Sequence, residues 1–436
     1  MALGVKLLTM DCFQVVGGNA LNGVVAASGS KNATLPLLAA GLLLEGRSTL
    51  AGVPDLRDID TILELLRELG MVFERHGDCL SHAVVDSAVT AAPYDIVRRM
   101  RASICVLGPL LARRGAAKVP LPGGCVFGLR PVDLHVRGLQ ALGAEITQEF
   151  GCLIGKAPAK GLRGAVIDLR SAFGSTVLGT VNVMLAAVLA QGTSLIRSAA
   201  REPEVVEVAN YLCACGAQIS GAGSDCIEIQ GVDSLRAVPW RVPADRIETG
   251  TLLLAGAITR GKVRVAGCRP LDLSALLHLM LASGLKITTG VDWIEVDGGS
   301  GDLHAVPCET APFPEFPTDL QAQWMAYCTQ VAGISKITEG VYPERFMHVP
   351  ELQRLGANLE RCGATTLVHG PSFLMGAPVL ASDLRASASL VLAGLVAQGE
   401  TTVRRVYHLD RGYQRLEQKL ASLGAHVQRL VDSDKP

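Results

Sequence analysis

The stretch that decides the fold runs Ala33-Thr-Leu-Pro-Leu-Leu-Ala-Ala-Gly-Leu-Leu-Leu44, then Glu45-Gly46-Arg47, then Ser48-Thr-Leu50, and resumes at Thr61-Ile-Leu-Glu-Leu-Leu-Arg-Glu-Leu69 before Gly70. Ala33–Leu44 is apolar on every side, which predicts a buried helix. Ser48–Leu50 reads as a short strand beyond Gly46. Thr61–Leu69 sets charges among leucines at helical spacing, so it predicts an amphipathic helix lying outside the first. Gly46 and Gly70 fit left-handed positions that end helices.

The same text recurs five more times along the chain. The apolar helices are Ile104–Ala112, Val183–Leu189, Gly250–Ile258, Leu320–Val331 and Ala386–Ala397. The amphipathic ones are Val132–Leu142, Val205–Cys215, Leu273–Ser283, His348–Leu355 and Gln414–Leu423. Their paired glycines are Gly115 and Gly143, Gly192 and Gly216, Gly261 and Gly284, Gly333 and Gly356, and Gly399 and Gly424. The second copy has the longest interval, because it holds Leu121-Pro-Gly-Gly-Cys125-Val-Phe-Gly-Leu-Arg130-Pro-Val-Asp-Leu-His135. Six copies divide into three and three. The polar, proline-bearing segment Ser234–Val242 carries no helical pattern and marks the expected crossover between two domains.

Bulk properties exclude several classes. The chain has 436 residues, 49% hydrophobic and 19% charged, with a net charge of −1. That composition is globular and gives no electrostatic footprint for nucleic acid, so any anion site is local. Twelve cysteines are scattered without a CxxC pair, which argues against zinc and against a disulfide scaffold. The opening residues lack the apolar core of a signal peptide, and runs such as Leu35–Leu44 are about half the ~20 residues a bilayer requires. Reduced thiols and no membrane segment point to the cytoplasm.

Chemistry-bearing residues gather at the repeat junctions. Cys125 sits in a glycine-rich loop with Arg130 five residues on, as a small filler or as a thiol activated by nearby cations. Gly29-Ser-Lys31-Asn32 opens the first buried helix, as a cap with a solvated lysine or as an anion site. Arg101-Ala-Ser and Arg385-Ala-Ser stand at the same point of two copies, as surface ion pairs or as forks for phosphate and carboxylate. Asp319 starts the fifth buried helix, as a cap or as a general base. Glu344-Arg345 and Asp410-Arg411 pair acids with arginines in turns. No H-x-x-H or H-E-x-x-H occurs.

Read together, these stretches resemble the enolpyruvyl transferase family. The matching text is Gly29-Ser-Lys-Asn-Ala, Met100-Arg-Ala-Ser, Leu121-Pro-Gly-Gly-Cys, Arg130-Pro-Val-Asp-Leu-His, Ala199-Ala-Arg-Glu-Pro-Glu, Asp245-Arg-Ile-Glu-Thr-Gly, Phe316-Pro-Thr-Asp-Leu-Gln-Ala-Gln, Arg345-Phe-Met-His-Val-Pro-Glu-Leu, Asp383-Leu-Arg-Ala-Ser and Asp410-Arg-Gly-Tyr, in family order. The resemblance implies an α/β fold: a two-domain inside-out α/β barrel of six βαβαββ-type repeats, three per domain, around buried helices. One domain would be 31–243, and the other 1–30 with 244–436.

It further implies transfer of the enolpyruvyl group of phosphoenolpyruvate to the 3-hydroxyl of UDP-N-acetylglucosamine with release of phosphate, the first committed step of peptidoglycan synthesis. No metal, organic cofactor, nucleic acid or membrane is expected. Carried over by motif, Cys125 is the general acid and Asp319 the base. Lys31, Arg101, Arg130 and Arg411 hold the phosphate and carboxylate. Asn32, Val341, Arg345, Asp383 and Arg385 line the sugar and reacting centre. Arg130, Pro131, Val132, Asp133, Leu134 and His135 cradle the uridine, and Thr176 and Val177 contact the diphosphate.

One departure falls in that last segment, where Leu178 stands at a position usually held by glycine in the family. It brings in an alternative acceptor, another uridine nucleotide such as UMP in a nucleoside-antibiotic pathway. Shikimate 3-phosphate fits less well, because the Asn-Ala-Gly-Thr stretch of that branch is missing. A non-catalytic nucleotide-binding relative would need the chemistry lost, yet Cys125, Asp319, Lys31 and Arg411 are all present.

Cys125→Ser is expected to abolish most turnover, and fosfomycin, an epoxide that alkylates the family's loop thiol, to inactivate the wild type. An unchanged rate in the serine variant would remove Cys125 from the mechanism.

Overall fold

The computed structural model describes residues 11–123, 132–172, 174–299 and 301–431. It is an α/β structure in which one sheet plan is repeated. In the first sheet Arg47–Ala51 runs parallel to Trp240–Arg241 on one side and antiparallel to Cys79–Val84 on the other, and Met71–His76 forms the far edge. The same order recurs around Thr193–Arg197, Lys262–Ala266, Gly333–Glu339 and Glu400–Arg404. Around Ala116–Pro120 three strands form among the described residues, and a parallel bridge from Ala91 to Lys118 takes the fourth place. These strands alternate buried and exposed positions, as in Cys226–Gln230, where Ile227 and Ile229 face inward. One face of each sheet therefore packs on helices while the other meets water.

The apolar helices are the cores. Arg246–Ile258, Gln321–Cys328 and Leu384–Gly394 are buried over nearly their whole length and touch one another. In the other half of the chain Lys31–Ala40 and Val177–Ala187 are buried over most of their length, and the buried first part of Leu107–Arg114 packs on Val177–Ala187. Such helices have no polar face to offer solvent, so other elements must cover them, as Arg57–Glu68 and Pro203–Ala214 cover Lys31–Ala40. The amphipathic helices, such as Arg57–Glu68 and Pro203–Ala214, bury one face each. They end as their sequences predict: the residue after the second glycine donates back to the helix, as in Ala217 N–H to Leu212 O at 2.9 Å and Leu285 N–H to Met280 O at 3.1 Å.

Among the paired glycines Gly261 departs from the expected left-handed backbone. Arg260 takes that conformation instead, at φ 56°. Gly261 is needed for another reason, because a Cβ there would lie 1.8 Å from the Leu21 carbonyl oxygen.

The chain forms two compact units. One spans Ser28–Asp245 with Pro312–Pro314; the other takes the residues up to Ala27, Arg246–Ala311 and those from Glu315 onward. Three of the recurring sheets lie in each unit. The boundaries differ slightly from 30/31 and 243/244. Ser28–Ser30 belong with the first unit because Asp245 N–H donates to Ser28 O at 2.8 Å and Ser30 N–H to Pro243 O at 2.7 Å. Ser234–Val242 is not the crossover but part of that unit. Its Leu235–Arg236 and Trp240–Arg241 pair with Leu44–Glu45 and Leu50–Ala51. Strand Asp11–Val16 lies between Glu400–Arg404 and His426–Val431, so the first and last described strands share one sheet. Among the described residues no helix is long and apolar enough to cross a membrane.

Close approach of two central helices depends on Gly108. Its N–H donates to Asn182 Oδ1 at 2.7 Å, and a Cβ at 108 would meet the Asn182 carbonyl oxygen at 2.2 Å. Gly108→Ala is expected to overpack this contact and cost about 2–3 kcal/mol, read as a fall of roughly 5 °C or more in Tm. An unchanged melting curve would show that the helices have room to part.

Candidate active site

In the unit that contains Asp319, the site begins where two buried helices start. Asp319 lies in the turn Thr318–Leu320 that leads into Gln321–Cys328. It is not a cap. Its Oδ1 accepts from Arg345 Nη1 at 2.8 Å and its Oδ2 from Arg385 Nη2 at 2.7 Å. The Arg385 and Arg345 side chains are 3% and 8% exposed and that of Asp319 is 28% exposed. Burial works against the charge on Asp319, but the two guanidiniums outweigh it and hold the carboxyl well below its usual range.

Each partner is itself held. Asp383 caps Leu384–Gly394 by accepting from the backbone N–H groups of Arg385 and Ala386 at 2.8 and 3.1 Å. Arg385 Nη1 donates to the Tyr413 hydroxyl at 3.2 Å. That hydroxyl lies 2.9 Å from Thr251 Oγ1 and 3.0 Å from Gln323 Nε2, so all three central helices meet there. Arg345 Nη1 also donates to Thr318 Oγ1 at 3.0 Å, and Thr318 donates to Glu339 Oε2 at 3.0 Å. Glu339 is 1% exposed. Its Oε1 accepts from Thr310 Oγ1 at 2.6 Å and from the N–H groups of Val341 and Tyr342 at 3.0 and 2.9 Å. It fixes the turn that carries Val341 and Arg345. His348 packs beneath; burial, offset in part by Asp383 and reinforced by Arg345, pushes it down to about 4, so it is neutral near pH 7. Arg411 ends the turn Val406–Arg411 and is half-buried.

The other unit holds the remaining described candidates. Ser30 caps Lys31–Ala40, its Oγ accepting from Ala33 N–H at 3.2 Å. Lys31 is not a solvated lysine: its Nζ is 3.3 Å from Asp58 Oδ2, with side chains 11% and 7% exposed. Its backbone N–H donates to Asp245 Oδ2 at 3.1 Å. Asn32 follows, half-buried, and Arg101 opens the turn Arg101–Val106. The imidazole of His135 lies in the core, 2% exposed. Its Nδ1 is 3.0 Å from Asn182 Nδ2, which also donates to Ile104 O at 3.0 Å. Burial, with Arg101 adding to it, pushes His135 down to about 3. The side chain therefore braces the helix Asp133–Ala141 against the central pair, while Val132 and Leu134 are half-buried and Asp133 exposed.

Thr176 caps Val177–Ala187, with Oγ1 3.2 Å from Gly179 N. Leu178 is half-buried and packs against the hydrophobic core. The first N–H groups of a helix have no partner within it and attract anions. Cys125, Arg130 and Pro131 lie outside the described residues. Among the described residues no cluster of His, Cys, Asp or Glu is arranged to hold a metal ion.

Sequence reasoning missed Glu339, Thr318, Gln323 and Thr251. A signal existed for Glu339. Ser335, Ile337 and Glu339 share the inward phase of the strand Gly333–Glu339, and a charge on that phase marks a buried carboxylate with partners.

The family model described as EPSP synthase (3-phosphoshikimate 1-carboxyvinyltransferase) matches residues 15–420. The chain belongs to the EPSP synthase family. A family relative from Shewanella pealeana, a UDP-N-acetylglucosamine 1-carboxyvinyltransferase, is 49% identical over 424 residues, covering 97% of this chain and 100% of its own. Among solved structures, the enolpyruvyl transferase NikO from Streptomyces tendae superposes with a TM-score of 0.86 at 24% identity, covering 97% of this chain and 99% of its own. EPSP synthase from Acinetobacter baumannii does so with 0.74 at 16% identity, covering 96% and 100%. Both share the fold.

Asp319→Asn would leave Arg345 and Arg385 facing each other without their shared anion. The variant is expected to lose nearly all turnover and roughly 3 kcal/mol of stability at pH 7. The folded carboxyl titrates below its unfolded value, so this stabilisation is full above about pH 4 and fades as pH falls below it. Melting curves from pH 3 to 8 should show the deficit of the variant shrinking only at the acid end. A deficit independent of pH would mean the carboxylate charge is not what binds the arginines.

Proposed function

We propose that this chain transfers the enolpyruvyl group of phosphoenolpyruvate to the 3-hydroxyl of UDP-N-acetylglucosamine, releasing phosphate, and so supplies cytoplasmic peptidoglycan synthesis. The observation that carries the reading is the Asp319 carboxylate set between two buried arginines, in a chain 49% identical to a relative of that name.

The reaction forms a bond from the sugar oxygen to C2 of phosphoenolpyruvate and places a proton on C3. The tetrahedral adduct then loses phosphate from C2 and a proton from C3, so atoms and charge balance. Asp319 accepts the hydroxyl proton. It is ionised at any physiological pH, so its contribution rests on placement more than on basicity. Cys125 is the general acid at C3. Lys31, Arg101, Arg130 and Arg411 hold the carboxylate and phosphate of phosphoenolpyruvate. Cations already in place where negative charge develops lower the barrier without reorganisation.

Asn32, Val341, Arg345, Asp383 and Arg385 line the sugar. Residues 130–135 and the helix start at Thr176–Val177 take the uridine diphosphate, the latter through backbone N–H groups. The six sheets are six βαβαββ units, three to a domain, with the apolar helices inside each domain. The domains are 28–245 with 312–314, and the remainder.

Phosphate release from phosphoenolpyruvate, measured with UDP-N-acetylglucosamine, UDP and UMP in parallel, tests the assignment. Release with the sugar nucleotide alone is expected. Release only with another nucleotide would keep the chemistry and move the acceptor, and none with any acceptor would make the chain a binding protein.

A further inference from the structure

Arg429 lies in the strand His426–Val431, paired across from Phe13. Its guanidinium gathers three carboxylates. Nη2 and Nη1 grip Asp410 two-pronged, at 2.5 Å to Oδ1 and 3.1 Å to Oδ2. Nη1 also reaches Asp11 Oδ2 at 3.1 Å, and Nε lies 3.6 Å from Glu417 Oε1. The group sits over the Phe13 ring at 5.0 Å. The side chains of Glu417, Asp410 and Arg429 are 12%, 20% and 28% exposed, too enclosed for a loose surface pair.

Asp410 directly precedes Arg411. The segment around them enters and leaves through two non-glycine residues in the left-handed region, Arg405 at φ 61° and Arg415 at φ 49°. Between these the chain is anchored twice. Asp410 is held by Arg429, and Tyr413 by Arg385, Thr251 and Gln323. Arg411 is one residue from the first anchor and two from the second. A two-pronged contact fixes the plane of a carboxylate as well as its distance, so it fixes the backbone from which Arg411 projects.

We propose that Arg429 is a positioning residue for phosphoenolpyruvate binding, acting through Asp410 to set the aim of Arg411. The proposal rests on the reading that Arg411 holds an anionic group of phosphoenolpyruvate.

The test is steady-state phosphate release with each substrate varied, beside melting curves. Arg429→Met is expected to raise KM for phosphoenolpyruvate roughly tenfold, with a smaller change in kcat and in the acceptor KM. Arg429→Lys, which keeps the charge and loses the fork, should recover part of the loss. Asp410→Asn should shift the same KM, and serves if the methionine variant does not fold. Asp11→Asn, which trims only the strand side of the cluster, should lower Tm and leave both KM values in place. In an Arg411→Lys background Arg429→Met should add nothing further to KM.

An unchanged phosphoenolpyruvate KM in Arg429→Met and Asp410→Asn would overturn the proposal. So would an equal rise for both substrates, or an effect that multiplies with that of Arg411→Lys. Failure of the parent reading looks different: wild type without turnover, or Arg411→Lys with a normal phosphoenolpyruvate KM.

Discussion

The carboxylate of Asp319, held between Arg345 and Arg385, is the constraint on which the rest of its unit depends. A guanidinium that is 3% exposed, as in Arg385, is tolerable only beside a compensating anion. That requirement draws three separate segments together: the start of Gln321–Cys328, the turn around Val341–Arg345 and the start of Leu384–Gly394. None of them has an apolar reason to stop where it does. The ion triad ends the hydrophobic packing and begins the polar site.

Around it, several buried polar groups are joined by hydrogen bonds. Glu339 takes up the backbone of one turn and the Thr310 and Thr318 hydroxyls. Tyr413 joins Thr251, Gln323 and Arg385. In the other unit Asn182 links Gly108, Ile104 and His135 in the same manner. Hydrogen bonds inside a low-dielectric core are strong when complete and costly when broken. These connections therefore give the helix starts a defined geometry. The apolar helices supply stability, and the polar contacts between them supply aim.

Much of the architecture was legible because it is periodic. Apolar helix, glycine, strand, amphipathic helix and glycine recur along the sequence, and the α/β class that this pattern implies is what the structure has. What was not legible depended on distant partners. Trp240–Arg241 looks like linker, yet it completes a sheet with residues almost two hundred positions earlier. Gly261 looks like a left-handed cap, yet its role is to let a backbone approach Leu21. For the site, the motif residues Lys31, Asp319, Arg345, Arg385 and Arg411 were nameable from the sequence, but their states were not. Locally, Asp319 was as good a cap as a base and Lys31 as good a solvated cation as a ligand. Glu339 was missed because only the phase of its strand marks it.

The sequence by itself determined the repeating α/β plan and the residue types available for anion chemistry, because side-chain periodicity and glycine placement act over a few residues. Only the tertiary structure decided which charges meet. Arg345 and Arg385 come from different repeats, and Asp410 and Arg429 from opposite sides of the last helix. Coulombic and hydrogen-bonding partners are chosen by distance in space and by burial, which a linear spacing does not encode.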